Sequence, residues 1–216
     1  MSLRTRLREP GPLLFATVIT ALLALGLARV GAEPLADRAQ AAPVIALLLR
    51  SALWAGLAAW VGHGLTLRPR VQGLVPLSVG LGLGTGAFSG VALWLAASRL
   101  PVTAPLMPEP GALAPLWLGV LAVVALGLAP LGEELLFRGT LFAGIRAEYG
   151  SQPAIVASSI AFALFHLNPV HLVVAAVAGM ALGWLRERSG RLWPCVLAHA
   201  CHNAVWLING LMTGGG

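Results

Sequence analysis

Two adjacent glutamates, Glu133 and Glu134, stand five and four residues ahead of an arginine, Arg138, in "GEELLFRG". On a helix Glu134 and Arg138 share a face and can pair, whereas Glu133 points about 100° away. One carboxylate is thus an anchor for the guanidinium, and the other is left to act as a general base. Further along, His166 lies in "FALFHL", and His199, His202 and Asn203 lie in "LAHACHNAV". His199 and Asn203 are one helical turn apart and can face one cavity. His202 could join that face, or simply bond to a neighbouring helix. Around a shared hydrated pocket these groups form a hydrolytic set: Glu133, helped by His166, deprotonates a water, while His199 and Asn203 donate to the oxyanion. One such donor is worth about 3 kcal/mol in well-studied proteases. The same atoms could instead hold zinc, since two histidines with one glutamate leave a water position open. Residue types alone do not separate the two schemes.

The elements that must position these groups are hydrophobic. Of 216 residues 58% are hydrophobic and only 10% charged, with a mean hydropathy of +0.85, against about 25% charged in an ordinary soluble domain. The chain therefore reads as all-α, a polytopic transmembrane helix bundle. Seven apolar stretches approach the roughly 20 residues a span needs: 12–31, 43–64, 74–97, 112–131, 153–168, 170–186 and 192–210. Residues 1–110 hold three of them, and residues 111–216 hold four spans that form a catalytic core. The fifth and sixth nearly touch at Pro169, where a tight turn is expected. The first apolar stretch is too long for the roughly 7–15 residues of a signal-peptide core and reads as a retained span.

The net charge of +6 does not point to nucleic acid, because the arginines fall in short groups between apolar runs rather than on one aromatic-lined face. With the N-terminus cytoplasmic, ten arginines, Arg138, Arg146 and Arg186 among them, lie inside or at the inner boundary and four outside, as the positive-inside rule requires. Cys195 and Cys201 lie six apart on one apolar segment and cannot form an internal disulfide. Gly82, Gly86 and Gly90, at four-residue spacing, read as a close helix-packing face rather than a phosphate cradle. His171 and His63 look interfacial.

Ionisable groups at membrane depth cost about 2.5–3.5 kcal/mol each on insertion scales and by default suggest function. Three clusters in order, "EELLFR" with Glu133, Glu134 and Arg138, "FALFH" with Phe162 and His166, and "HACHN" with His199 and Asn203, resemble the motifs of the CPBP family of intramembrane proteases. That family, also called the CAAX protease and bacteriocin-processing or self-immunity family, carries Glu-Glu-x-x-x-Arg, Phe-x-x-x-His and His-x-x-x-Asn. The resemblance spans roughly residues 112–210. It implies a helical membrane enzyme that cleaves a peptide bond near the end of a membrane-associated or lipid-anchored substrate. Glu133 takes the place of the base, His166 of its partner, and His199 with Asn203 of the oxyanion side; Glu134, Arg138 and Phe162 support them. Some of the family's names carry the word metalloprotease. A divalent metal, zinc, thus stays open, with Glu133, His166 and His199 as its ligands if it is bound.

The implied partners are membrane lipids and a membrane-associated protein or peptide, and the implied location is a bacterial cytoplasmic membrane. The oligomeric state is open, since glycine-lined faces pack within one chain or between two. Two other readings use the same sequence. A non-catalytic immunity protein or scaffold would keep the fold without turnover. A rhomboid-type serine protease would use Ser89 in "GAFSG", but Ala87 stands where that motif needs glycine, and the acidic cluster would go unexplained.

Overall fold

The computed structural model of the chain describes residues 44–49, 51, 75–97, 113, 115–166 and 169–213. Among them every regular element is helical and no strand occurs. Residues 44–49 are helical, and five longer helices follow in order: α1 (Val75–Ala97), α2 (Pro115–Tyr149), α3 (Ser151–Leu164), α4 (Pro169–Ser189) and α5 (Trp193–Thr213). They correspond to the last five expected spans. The span at 12–31, and that at 43–64 apart from 44–49 and 51, lie outside the described residues, as do His63 and the side chains of Ser89 and Gly90. By length and apolar composition Pro115–Tyr149 and Trp193–Met212 can each cross a membrane, and Ser151–Leu164 is a shorter apolar helix. Large apolar side chains such as Leu116, Val123, Val173 and Met212 point outward.

α2 departs from the expected span. The stretch 112–131 continues through Pro130 to Tyr149 and so carries the whole acidic motif in one 35-residue helix. A proline inside a helix has no N–H to give, and its ring crowds the carbonyl four residues earlier. The chain accommodates Pro130 by widening into a π turn over Val124–Leu128, which closes when the Ala129 N–H bonds to Val124 O. A second π turn, Leu135–Leu141, closes with the Phe142 N–H on Phe137 O. There the Thr140 hydroxyl bonds to Leu135 O at 3.2 Å, five residues back.

The connections at one end are short, one residue between α2 and α3 and three between α4 and α5. Gly150, at φ 85°, separates α2 from α3, and Gly190, at φ 64°, lies between α4 and α5; a left-handed φ of this kind is strained for any residue with a Cβ. At the same end the guanidinium of Arg146 grips Glu187 with two hydrogen bonds of 2.5 and 2.9 Å. The expected turn before Pro169 is present: α3 ends at Leu164 and α4 starts at Pro169, where the missing N–H costs nothing.

Two apolar cores hold the bundle. Phe137, Phe142, Phe162, Phe165 and Val196 bury the lower half of α2 against α3 and α5. Val44 and Leu47 pack with Leu121, Val124, Ala125 and Leu207 around its upper half. α1 lies directly on α5. A Cβ on Gly82 would stand 2.2 Å from the Ala198 carbonyl oxygen, and one on Gly86 would stand 2.8 Å from the Val205 Cβ. The glycine face thus serves close packing, as its spacing indicates.

Candidate active site

The acidic motif is fully internal. Glu133, Glu134 and Arg138 are 3%, 0% and 0% exposed, so Arg138 is enclosed by protein rather than snorkelling outward. Its Nη1 donates to Glu134 Oε1 at 3.1 Å, the pairing foreseen from the four-residue spacing. Its Nη2 donates to the Gly179 carbonyl of α4 at 3.0 Å, and its guanidinium carbon lies 4.6 Å from the centre of the Phe162 ring. Three helices thus hold one cation. Glu134 Oε2 and Arg138 Nε find no hydrogen-bond partner among the described residues.

His199 of α5 joins the two glutamates. Its Nδ1 donates to Glu134 Oε1 at 2.9 Å, since a carboxylate oxygen in that pair accepts. Its Nε2 faces Glu133 Oε2 at 3.8 Å, beyond hydrogen-bond length but within ion-pair range. The ring of Phe162 stands edge-on to His166 and His199, with centres 4.8 and 5.6 Å away.

Irregular backbone fixes the other polar groups. Because the Ala129 N–H is spent on Val124 O and Pro130 has no N–H, the Ala125 carbonyl loses its helical donor, and Asn203 Nδ2 donates to it at 2.8 Å. In the second π turn the Phe142 N–H goes to Phe137 O. The Arg138 carbonyl is thereby released and accepts from Arg186 Nε at 3.3 Å. At the end of α3 the chain tightens so that the His166 N–H bonds to Ala163 O. The Phe162 carbonyl then accepts from His166 Nδ1 at 2.9 Å. A carbonyl cannot donate, so Nδ1 carries the hydrogen, and a neutral His166 presents Nε2 as an acceptor.

These side chains surround one cavity of about 90 Å³, lined by Glu133, Phe162, His166, His199, His202 and Asn203. It has room for several waters, each of which needs about 10–15 Å³ on this measure. The four residues read as the hydrolytic set are therefore brought to one place. Two further lining residues lay outside that reading. His171, to which the sequence alone assigns no role, lines the cavity. Thr85 of α1 also lines it and contacts His202 Nδ1 at 3.2 Å; nothing local in the sequence marks that contact, which spans 117 residues. Among the described residues no three His, Cys, Asp or Glu side chains are arranged to hold a metal ion.

A family model, Type II CAAX prenyl endopeptidase Rce1-like, matches residues 115–205, the stretch that supplies every group named above except Thr85. Residues 115–205 are Rce1-like. The resemblance carried by the three motifs therefore holds over the segment that contains them. The Rce1-like segment also aligns with a Bacillus subtilis (strain 168) protein named "Putative membrane peptidase YdiL", 26% identical over 89 residues. That alignment covers 41% of this chain and 36% of the relative, so the chain matches little more than a third of that protein's length. No solved structure matches the chain. Both matches describe peptidases, and two of the described helices are long and apolar enough to cross a membrane.

Proposed function

We propose that the chain is an intramembrane endopeptidase that hydrolyses a peptide bond near the terminus of a membrane-associated or lipid-anchored substrate. The observation that carries this reading is Glu133 facing His199 across 3.8 Å in a cavity that His166 and Asn203 also line. Glu133, with His166 beside the same cavity, takes a proton from water, and the oxygen attacks the scissile carbonyl carbon. Negative charge then builds on the carbonyl oxygen. Asn203 spends one amide N–H on Ala125 O and has a second to donate there. His199 donates from Nδ1 to Glu134, so a second hydrogen bond from its Nε2 to the oxyanion requires the imidazolium form. As the C–N bond breaks, the proton held by Glu133 passes to the leaving amine. Burial makes each of these donors count for more than it would in water. The chain would act in a bacterial cytoplasmic membrane with its N-terminus inside.

The test is cleavage by the purified chain in lipid vesicles. The probe is a fluorogenic peptide ending in a farnesylated cysteine followed by three residues, suggested by the prenyl endopeptidase match. A comparison of membrane proteomes from cells with and without the chain would find other classes of terminus. Release of the C-terminal tripeptide, lost in Glu133→Gln, is the expected result. No cleaved terminus in either experiment would leave the non-catalytic scaffold as the better account.

A further inference from the structure

Thr85 and His202 make a polar contact in the cavity wall that the three motifs do not use. α1 lies ahead of the Rce1-like segment, and Gly82 and Gly86 let it press onto α5 so closely that the carbonyls of Ala198 and His202 stand against its axis. This approach brings the Thr85 hydroxyl to 3.2 Å from His202 Nδ1. The hydroxyl proton is directed back into α1, with Leu81 O at 2.9 Å and Gly82 O at 3.1 Å. Toward the ring Oγ1 therefore accepts, and Nδ1 carries the hydrogen. A neutral imidazole protonated on Nδ1 has Nε2 as its acceptor.

The location gives that acceptor a use. His202 and Thr85 line the same cavity as Glu133 and His199, and the two histidine rings are 6.4 Å apart and perpendicular. A peptide that enters brings backbone N–H groups stripped of water, and each needs a partner. In the hydrolytic scheme Glu133 serves the water, and His199 and Asn203 act as donors. We propose that His202 Nε2 accepts a backbone N–H of the bound peptide beside the scissile bond, and that Thr85 is a positioning residue that holds His202 in the required tautomer. The proposal rests on the hydrolytic reading above and extends it to a helix outside the matched segment.

The experiment uses the full chain in lipid vesicles with the same farnesylated fluorogenic peptide, comparing wild type, Thr85→Val, Thr85→Ser and His202→Phe. Loss of a contact made equally in ground and transition states raises KM and spares kcat. Thr85→Val and His202→Phe should therefore raise KM roughly five- to tenfold, the scale of one lost hydrogen bond, with kcat within about twofold. Thr85→Ser should restore the wild-type KM. Nitrogen NMR of the histidine rings should show the Nδ1–H form of His202 in wild type and Thr85→Ser, and its loss in Thr85→Val, a change that mere packing would not produce. Unmoved KM in both Thr85→Val and His202→Phe with a cleaving wild type, or an Nε2–H wild-type ring, overturns this proposal alone. A wild type that leaves the peptide intact overturns the hydrolytic reading for this substrate class and the proposal with it.

Discussion

Asn203 donates to the carbonyl oxygen of Ala125 at 2.8 Å, the carbonyl that Pro130 and the π turn before it leave without a helical donor. The amide is therefore a clasp between α5 and α2 as well as a cavity-lining group. Asn203→Asp replaces the donor by an acceptor facing another acceptor. It should destabilise the protein by about 1–3 kcal/mol and abolish cleavage, read from the thermal midpoint in detergent and from peptide turnover. An unchanged midpoint would show that the clasp contributes nothing.

Glu133→Gln and His166→Ala should each reduce turnover by at least about a hundredfold, the usual scale for general acid–base groups, while the protein still accumulates in membranes. Ser89→Ala should be silent; loss of cleavage there would favour the serine-protease reading. Full activity in both Glu133→Gln and His166→Ala would remove the water-activation scheme.

Arg138 neutralises a carboxylate that has no exposure to solvent. Arg138→Leu leaves the Glu134 charge buried and uncompensated, a change that costs about 3–5 kcal/mol in comparable buried pairs. The variant should fail to accumulate. Arg138→Lys keeps the charge but loses the fork that reaches both Glu134 and Gly179, and should be intermediate. Immunoblots of membrane fractions rank the three.

Gly82→Ala places a methyl group 2.2 Å from the Ala198 carbonyl oxygen, whereas a Cβ at Gly80 meets nothing within 4 Å. Forced overpacking of this kind costs about 1–3 kcal/mol. Gly82→Ala should lower the thermal midpoint and weaken cleavage, because α1 carries Thr85, and Gly80→Ala should do neither. Equal behaviour of the two variants would mean that α1 does not pack as described.

Arg146 beside Glu187 holds that carboxyl below the ordinary carboxylate range, chiefly through their hydrogen bonds. A carboxyl lowered on folding stabilises above its unfolded value of about 4.3, and the contribution fades as pH falls through the lower folded value. At neutral pH and low salt Arg146→Gln should melt below wild type. The gap should close in high salt and on acidification below about pH 4. A gap that widens in acid would contradict the pairing.

The Glu134–Arg138 pair and the glycine contact between α1 and α5 were legible because helical geometry dictates both: residues four apart share a face, and small residues at that spacing admit a neighbour. The common location of Glu133, His166, His199 and Asn203 follows the motif order. The length of α2 was not legible, because Pro130 reads as a helix end unless a partner rescues the stranded carbonyl, and that partner lies 78 residues away. The burial of Arg138 depends on Gly179, on another helix. Thr85 was hidden in a run whose glycines explained themselves, and His171 sits two residues past the proline turn, where sequence offers no sign of which way the ring will point.

The short turns at Gly150 and at 190–192 bear on traffic. Two helix pairs are stitched there with almost no slack, and the Arg146–Glu187 clamp crosses the same floor. Neither of these two connections is long enough to lift as a flap, which favours admission of a polypeptide sideways from the lipid or through the opposite rim. Lengthening either turn with a few flexible residues should therefore leave admission unchanged while loosening the floor.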